Sequence, residues 1–124
     1  MLRVLLVEDN RSYRESFKEH LCDHYPTLSI EEAENGEEAL TKINESPPHL
    51  IFMDLRLPGM NGLRVTQKGK KDFPKVHVAM LTGYDVPEYR EAATQYGAEG
   101  FFVKESIKWD EVRALVGSIE KTIS

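Results

Sequence analysis

The sequence predicts an α/β protein, a doubly wound parallel sheet built from five strand–helix units. Short apolar runs alternate five times with segments whose apolar residues recur every three or four positions, which is the pattern of strands followed by amphipathic helices. Proline, glycine or asparagine separates most of these segments, as expected of turns. The 124 residues suffice to bury one core, and we expect a single domain over residues 1–124.

The five predicted strands are short and mainly apolar. The third consists of four apolar residues and stops abruptly at Asp54, which is typical of a fully buried strand. Dense charges in the second strand favour a position at the edge of the sheet. The predicted strands cover residues 3–7, 28–33, 50–53, 76–81 and 100–103.

The five predicted helices are bounded by capping and breaking residues. Asn10 or Ser12 can cap the first, Pro87 suits the first turn of the fourth, and Gly97 suits a left-handed stop after it. The third is the least certain, because Gly69 and three lysines leave it few apolar residues. The predicted helices cover residues 11–24, 37–44, 62–71, 87–96 and 108–123.

Composition and charge exclude several classes of protein. A net charge of −5 argues against nucleic-acid binding by this domain. No window approaches the length of a membrane span, so we expect no membrane partner. The single cysteine, Cys22, has no cysteine partner for a disulfide or a metal site, and we expect it to be a small buried residue. These features predict a reducing, cytoplasmic location.

Polar and charged side chains follow four of the five predicted strands. They are Glu8 and Asp9 after the first strand, Asp54 after the third, Thr82 after the fourth and Lys104 after the fifth. Ligand sites of open parallel sheets lie just beyond the carboxyl ends of the strands. Carboxylates about 5 Å apart repel by roughly 3 kcal/mol per pair at an effective dielectric near 20. Three of them therefore need a cation, and such oxygen ligands suit Mg²⁺.

Asp54 is also a candidate nucleophile. Carboxylates can accept a phosphoryl group and form an aspartyl-phosphate. The transfer requires charge compensation, for which Mg²⁺, the Lys104 ammonium and the Thr82 hydroxyl are suited. Each residue alone has an ordinary interpretation, as an acidic helix start, a turn or a solvated lysine. Their coincidence at successive strand ends favours a common site.

In these motifs the sequence resembles the receiver (phosphoacceptor) domain of two-component response regulators. The likeness covers the whole chain and combines the acidic pair, Asp54 with the loop 57–62 (Leu-Pro-Gly-Met-Asn-Gly), Leu81-Thr82-Gly83, and the segment 97–104 that ends in Lys104. The resemblance implies a flavodoxin-like sheet with the strand order 2-1-3-4-5.

The resemblance also implies the chemistry of the acidic residues. Asp54 would take a phosphoryl group from a histidine kinase or a phosphotransfer protein. Asp9 would bind Mg²⁺ directly and Glu8 through water, and Asp54 and the backbone carbonyl of Arg56 would complete the protein ligands. Mn²⁺ is a second possible ion.

Further roles follow from the same resemblance. Thr82 and Lys104 would contact the phosphoryl oxygens. Phe101 matches the family's switch aromatic, which turns inward when the threonine moves. Arg56 and Tyr84 occupy positions at which dephosphorylation rates differ within the family. A signalling module of this kind is not an enzyme acting on an outside substrate.

The chain departs from the family after Lys104. Glu105 stands where the family usually has proline, often with a cis peptide bond, and a cis bond without proline costs about 3 kcal/mol. Receivers of helix-turn-helix DNA-binding regulators often have a residue other than proline at this position. This resemblance implies an output in transcription. The chain is then either a stand-alone receiver or the N-terminal part of a longer regulator.

A homodimer is a further expectation. It would form through the fourth helix, fifth strand and fifth helix, where Tyr89, Arg90, Glu91 and Arg113 are candidate contacts.

Two alternatives belong to other classes. One is a receiver-like adaptor that signals by binding alone, against which the intact set of site residues argues. The other is a small phosphatase of the haloacid-dehalogenase type. Its Asp-x-Asp pattern is absent, since position 56 is Arg56.

Overall fold

A computed structural model describes residues 2–123 and contains five strands and five α-helices over that range. The strands are β1 Arg3–Val7, β2 Ser29–Ala33, β3 Leu50–Asp54, β4 His77–Thr82 and β5 Gly100–Val103. The helices are α1 Arg11–His24, α2 Gly36–Glu45, α3 Gly62–Asp72, α4 Pro87–Gln95 and α5 Trp109–Ile123, and a short 3₁₀ turn spans Lys104–Ser106. The predicted alternation of strands and helices is confirmed.

All five strands are parallel and lie in the order β2-β1-β3-β4-β5. This confirms the flavodoxin-like order and the edge position of the second strand. In the register, Val7 pairs with Met53 and Asp54 with Leu81. The carboxyl ends of the central strands therefore finish at nearly the same level, and the side chains that follow them share one edge of the sheet.

The sheet has a hydrophobic cluster on each face. Alternate strand residues point to opposite faces, so Leu6 joins one cluster and Leu5 the other. The buried residues of α1 and α5 in the first cluster are Phe17, Leu21, Val112, Val116 and Ile119. The buried residues of α2, α3 and α4 in the second are Ala39, Ile43, Val65 and Ala93. Helices thus cover both faces, as the doubly wound prediction requires.

Helix α3 forms despite its lysine-rich sequence. Its inward face is made of small and medium residues, Gly62, Val65, Thr66 and Gly69, while its lysines lie elsewhere on the helix. The side chain of Asn61 caps the helix by accepting a hydrogen bond from the Arg64 N–H at 2.9 Å. The correct spacing of a few small residues was sufficient for burial.

Three expectations need correction or completion. Cys22 is exposed rather than buried, because it lies one residue, or about 100° of helical rotation, beyond the buried Leu21. Asp54 and Thr82 are the last residues of their strands rather than the first residues after them. Within residues 2–123 the backbone has no cis peptide bond, so Lys104–Glu105 is trans.

Over residues 2–123, no helix combines the length and apolar character needed to cross a bilayer.

Candidate functional site

The loop after β3 fixes the position of Asp54. The Leu55 N–H donates to the Leu81 carbonyl at 3.0 Å, and the Gly62 N–H donates to the Leu55 carbonyl at 2.8 Å. A Cβ atom on Gly62 would lie 2.1 Å from the Asp54 carbonyl oxygen, so only glycine allows the loop to close this tightly. Gly59 has φ +78°, a conformation that glycine adopts readily. The loop sequence thus holds Asp54 at the sheet edge.

Three carboxylates meet beside this loop. Glu8, Asp9 and Asp54 each offer an oxygen, and these oxygens lie within 4.8 Å of one another. Glu8 and Asp54 are buried, whereas Asp9 is exposed. The cluster therefore joins two carboxylates removed from water to a third that opens to solvent.

Both oxygens of the buried Glu8 carboxylate have a partner. Its Oε2 accepts a hydrogen bond from the Asn10 N–H at 2.9 Å. Its Oε1 forms an ion pair with the Lys104 ammonium. The same ammonium also serves Asp54, so the three carboxylates carry more negative charge than one lysine offsets. Such a set of hard oxygen donors fits a small divalent cation such as Mg²⁺.

Lys104 bridges the two buried carboxylates. Its Nζ donates to Asp54 Oδ2 at 3.1 Å and contacts Glu8. Burial lowers the pKa of Lys104, but the two carboxylates outweigh burial and leave it raised. Burial, followed by the Glu8 carboxylate, raises the pKa of Asp54 to about 7, against the opposing effect of Lys104. One ammonium therefore offsets only part of the negative charge.

Tyr13 is a site residue that the sequence did not single out for this role. The Lys104 ammonium lies 4.9 Å from the centre of its ring, over its face, where cations are attracted. Burial, and then the charges of Glu8 and Asp54, raise the pKa of its phenol to about 12. The residue was predicted as part of the apolar stripe of α1, and nothing in its spacing distinguished this additional contact.

Arg14 was also missed. It is buried, and its Nη1 donates to the Glu8 carbonyl at 2.8 Å. Its Nε and Nη2 donate to Glu32 and Glu34 at 3.0 and 3.2 Å. The guanidinium therefore ties α1 to the ends of β1 and β2. A signal existed, since position 14 lies three residues before Phe17 on the inward stripe, but an arginine there is more often solvated.

Thr82 and Phe101 lie on the adjoining strands. The Thr82 Oγ1 accepts a hydrogen bond from the Tyr84 N–H at 3.1 Å, and Thr82 is buried. Phe101 is half-buried, and the Arg90 guanidinium lies over its ring at 4.6 Å. The structure thus brings Thr82 to the same edge as Asp54, and Phe101 lies beneath a cation at the surface.

Arg56 and Tyr84 are in contact with each other. The Arg56 N–H donates to Asp54 Oδ1 at 3.1 Å. Its guanidinium lies 4.2 Å from the centre of the Tyr84 ring and donates to the Tyr89 hydroxyl at 3.3 Å. Tyr84 is an exposed large aromatic residue. Arg56 therefore contacts Asp54 through its backbone, while its side chain joins the two tyrosines in an exposed aromatic and cationic group.

Comparison with known proteins identifies the family. The family model of the response regulator receiver domain matches residues 4–116. The chain belongs to this family. It is thus a receiver domain of two-component signalling, a class of domain that binds Mg²⁺ at an acidic pocket and interacts with histidine kinases.

Two curated relatives illustrate the likeness. The chain is 33% identical over 104 residues to the response regulator GacA of Pseudomonas protegens, covering 84% of this chain and 49% of the relative. It is 32% identical over 116 residues to the response regulator protein VraR of Staphylococcus saprophyticus, covering 92% and 54%. The chain spans about half the length of these relatives.

Two solved structures share the fold. The response regulator TrrA of Thermotoga maritima, in complex with Mg²⁺ and BeF, is 34% identical with a TM-score of 0.83, covering 96% of this chain and 99% of that chain. A two-component response regulator of the LuxR family from Aurantimonas is 26% identical with a TM-score of 0.85, covering 96% and 85%.

Proposed function

We propose that Asp54 of this receiver accepts a phosphoryl group from a phosphohistidine, carried by a histidine kinase or a phosphotransfer protein, in a Mg²⁺-dependent reaction. The observation that carries the proposal is the position of the Asp54 carboxylate, buried beside Glu8 with the Lys104 ammonium 3.1 Å from its Oδ2. A buried carboxylate next to a second one needs compensating positive charge to stay ionised. The Lys104 ammonium and a bound Mg²⁺ would supply it.

The transfer step is a single displacement. A carboxylate oxygen of Asp54 forms a bond to phosphorus as the phosphorus–nitrogen bond of the donor breaks, and the donor imidazole keeps the electron pair and takes up a proton. The Arg56 N–H holds Oδ1 at 3.1 Å and Lys104 holds Oδ2 at 3.1 Å. Both contacts orient the nucleophile before the donor arrives.

The Mg²⁺ ligands would be Asp9 directly, Glu8 through water, Asp54 and the backbone carbonyl of Arg56. The bound ion supplies positive charge to the acidic cluster and to the transferred phosphoryl oxygens. The convergence of the Glu8, Asp9 and Asp54 oxygens within 4.8 Å of one another supports this assignment, as does the Mg²⁺ and BeF complex of the related TrrA. Mn²⁺ accepts similar oxygen ligands and is the second candidate ion.

The phosphorylated residue would alter the surface through Thr82, Lys104 and Phe101. The acyl phosphate carries about −2 charges in place of the single charge of the Asp54 carboxylate, and it offers strong hydrogen-bond acceptors, which attract the Lys104 ammonium and the Thr82 hydroxyl. Thr82 then gives up its bond from the Tyr84 N–H. The space that it leaves admits Phe101, which gives up its contact with Arg90. The altered surface comprises α4, β5 and α5.

The same surface is our candidate for a homodimer contact. Arg90 and Glu91 are exposed, and Tyr89 and Arg113 are half-buried. We expect light scattering to report a larger mass when the domain is loaded with Mg²⁺ and beryllofluoride. An unchanged mass would remove the dimer from the proposal and leave the phosphoryl transfer unaffected.

Arg56 and Tyr84 would set the lifetime of the phosphoryl group. Their side chains stack on each other, and the Arg56 backbone N–H contacts Asp54, so the pair is placed to limit the approach of water.

The output is proposed to be transcription by a longer parent protein, because this chain spans about half of its curated relatives and resembles a LuxR-family regulator. This domain would make no direct contact with nucleic acid and would act on no outside substrate. The cytoplasmic location stays a prediction.

Intact-mass spectrometry tests the transfer. The protein is incubated with acetyl phosphate, with and without Mg²⁺, as wild type, Asp54→Asn and the control Asp72→Asn on the exposed end of α3. We expect one phosphoryl adduct that requires Mg²⁺, appears in the control and is absent from Asp54→Asn. A folded wild type that binds Mg²⁺ but gains no adduct would favour an adaptor that signals by binding alone.

A further inference from the structure

A pair of histidines lies on α1, outside the phosphoacceptor site. His20 and His24 are one helical turn apart, and residues four apart share one side of a helix. Their Nε2 atoms are 3.2 Å apart. His24 is exposed and His20 is half-buried, so the space between the two nitrogens is open to solvent.

Trp109 holds one ring of the pair. The His20 ring stacks on the indole of Trp109 at a centroid distance of 3.7 Å and an angle of 8°. Trp109 begins α5 and also packs against Phe17. Because the indole belongs to the packed interface between α1 and α5, it fixes the orientation of His20. Only His24 has to adjust when a ligand enters.

The spacing of the two nitrogens matches one edge of a metal coordination shell. With metal–nitrogen bonds of about 2.05 Å, nitrogens 3.2 Å apart enclose an angle of about 100° at the metal. If both rings point at that metal, their centroids should be about 5 Å apart, since each centroid lies about 1.1 Å behind its nitrogen. The observed centroid distance is 4.9 Å, which agrees with two rings that share one metal.

We propose that His20 and His24 form an open two-imidazole site for a first-row divalent transition-metal ion, such as Ni²⁺, Cu²⁺ or Zn²⁺. Imidazole nitrogen suits these ions, whereas Mg²⁺ prefers oxygen, so Mg²⁺ should not compete at the histidine pair. Without metal, one ring donates its Nε2 proton to the other; binding uses both lone pairs, and the donor's proton moves to Nδ1. The remaining coordination positions are filled by water.

The sole tryptophan provides the readout. Trp109 is the only tryptophan of the chain and stacks directly on one proposed ligand, so bound Ni²⁺ should quench its emission. The exposed Cys22 is a competing ligand on the same helix. The titration with Ni²⁺ is therefore made in a Cys22→Ser background with Mg²⁺ present. A chelator added at the end checks that the quenching is reversible.

We expect saturable quenching with one Ni²⁺ per chain. His24→Gln should weaken the apparent affinity about tenfold or more, because one of the two protein ligands is lost. This exposed substitution should leave the circular dichroism unchanged. The control His77→Gln, at the start of β4, should titrate like the background protein. Quenching of equal affinity in His24→Gln, or no quenching at all, would overturn the site.

Discussion

The site requires glycine at position 62, because there is no room for a Cβ atom there. Gly62→Ala places a Cβ atom 2.1 Å from the Asp54 carbonyl oxygen, and this backbone atom can move only with the loop. We expect the free energy of unfolding to fall by about 3 kcal/mol, measured by urea denaturation. The rate of Asp54 phosphorylation should fall as well, because the carboxylate shifts with its backbone.

Gly117 is the matched control. It lies within α5, and a Cβ atom there meets nothing within 4 Å. Gly117→Ala should therefore stabilise the protein by about 0.5–1 kcal/mol, since alanine is the better helix former. Similar losses at both positions would mean that the close contact at Gly62 is not the cause.

His49 predicts a pH dependence of stability. Burial, followed by the charge of Arg3, lowers its pKa, and its Nδ1 accepts a hydrogen bond from the Arg3 N–H at 2.9 Å. Below about pH 6.5 the unfolded chain binds a proton at this residue more readily than the folded chain. Stability from this group is thus complete above that pH and is lost as the pH falls.

His49→Asn tests this dependence. The side-chain oxygen of asparagine can replace the Nδ1 acceptor of His49, but asparagine does not titrate. We expect the urea midpoint to fall less between pH 7.5 and 5.5 in the variant than in the wild type. The other three histidines are the same in both proteins, so an equal fall would show that His49 contributes no pH dependence.

Helix α1 is attached to the sheet by polar as well as apolar contacts. Arg14 is buried and bonds the Glu8 carbonyl, Glu32 and Glu34. Arg14→Met keeps the aliphatic stem but leaves the buried carbonyl without its donor, and we expect a loss of about 2–3 kcal/mol in urea denaturation.

Lys18→Met is the comparison for Arg14. Lys18 contacts Glu32 at 3.1 Å from the same helix but is partly exposed, so its removal should cost less than about 1 kcal/mol. If the two variants lose similar amounts, the attachment of α1 depends on apolar packing alone.

The helices also show what sequence patterns can predict. Apolar periodicity located α1, α2 and α5, whereas the flanking Pro87 and Gly97 marked α4. Helix α3 was predicted despite its few apolar residues, and it forms with Val65 and Gly69 on its buried face.

The exposure of Cys22 and the burial of Arg14 were missed although Phe17 and Leu21 set the phase of α1. Residue type suggested the opposite, because cysteine is usually buried and arginine usually solvated. The bond from Arg14 to a carbonyl of β1 depends on packing that is formed only in the tertiary structure.

The site is a property of the whole sheet. Strand ends separated by up to about 96 residues along the chain, from Glu8 to Lys104, converge because parallel register aligns the ends of β1, β3 and β4. The sequence predicted this convergence, since the strand order follows from the family pattern. It did not predict that Lys104 bridges Glu8 and Asp54, because that contact depends on side-chain conformation.

The acidic cluster predicts opposite effects of one substitution with and without Mg²⁺. Asp9→Asn removes one of three carboxylates whose oxygens lie within 4.8 Å of one another. Without Mg²⁺ the variant should melt at a higher temperature than the wild type, because less negative charge is confined at the sheet edge.

Added Mg²⁺ should reverse this difference, so that the wild type melts at a higher temperature than Asp9→Asn. At ten times its dissociation constant, a ligand of the folded state stabilises by about 1.4 kcal/mol, which raises the melting temperature by roughly 5 °C for a chain of this size. The wild type should gain this increment in a calorimetric titration, whereas Asp9→Asn should gain little at the same concentration. The exposed control Asp72→Asn should follow the wild type. An equal Mg²⁺ response in Asp9→Asn would exclude Asp9 as a ligand, and a lower melting temperature without Mg²⁺ would show that repulsion within the cluster is already neutralised by Lys104.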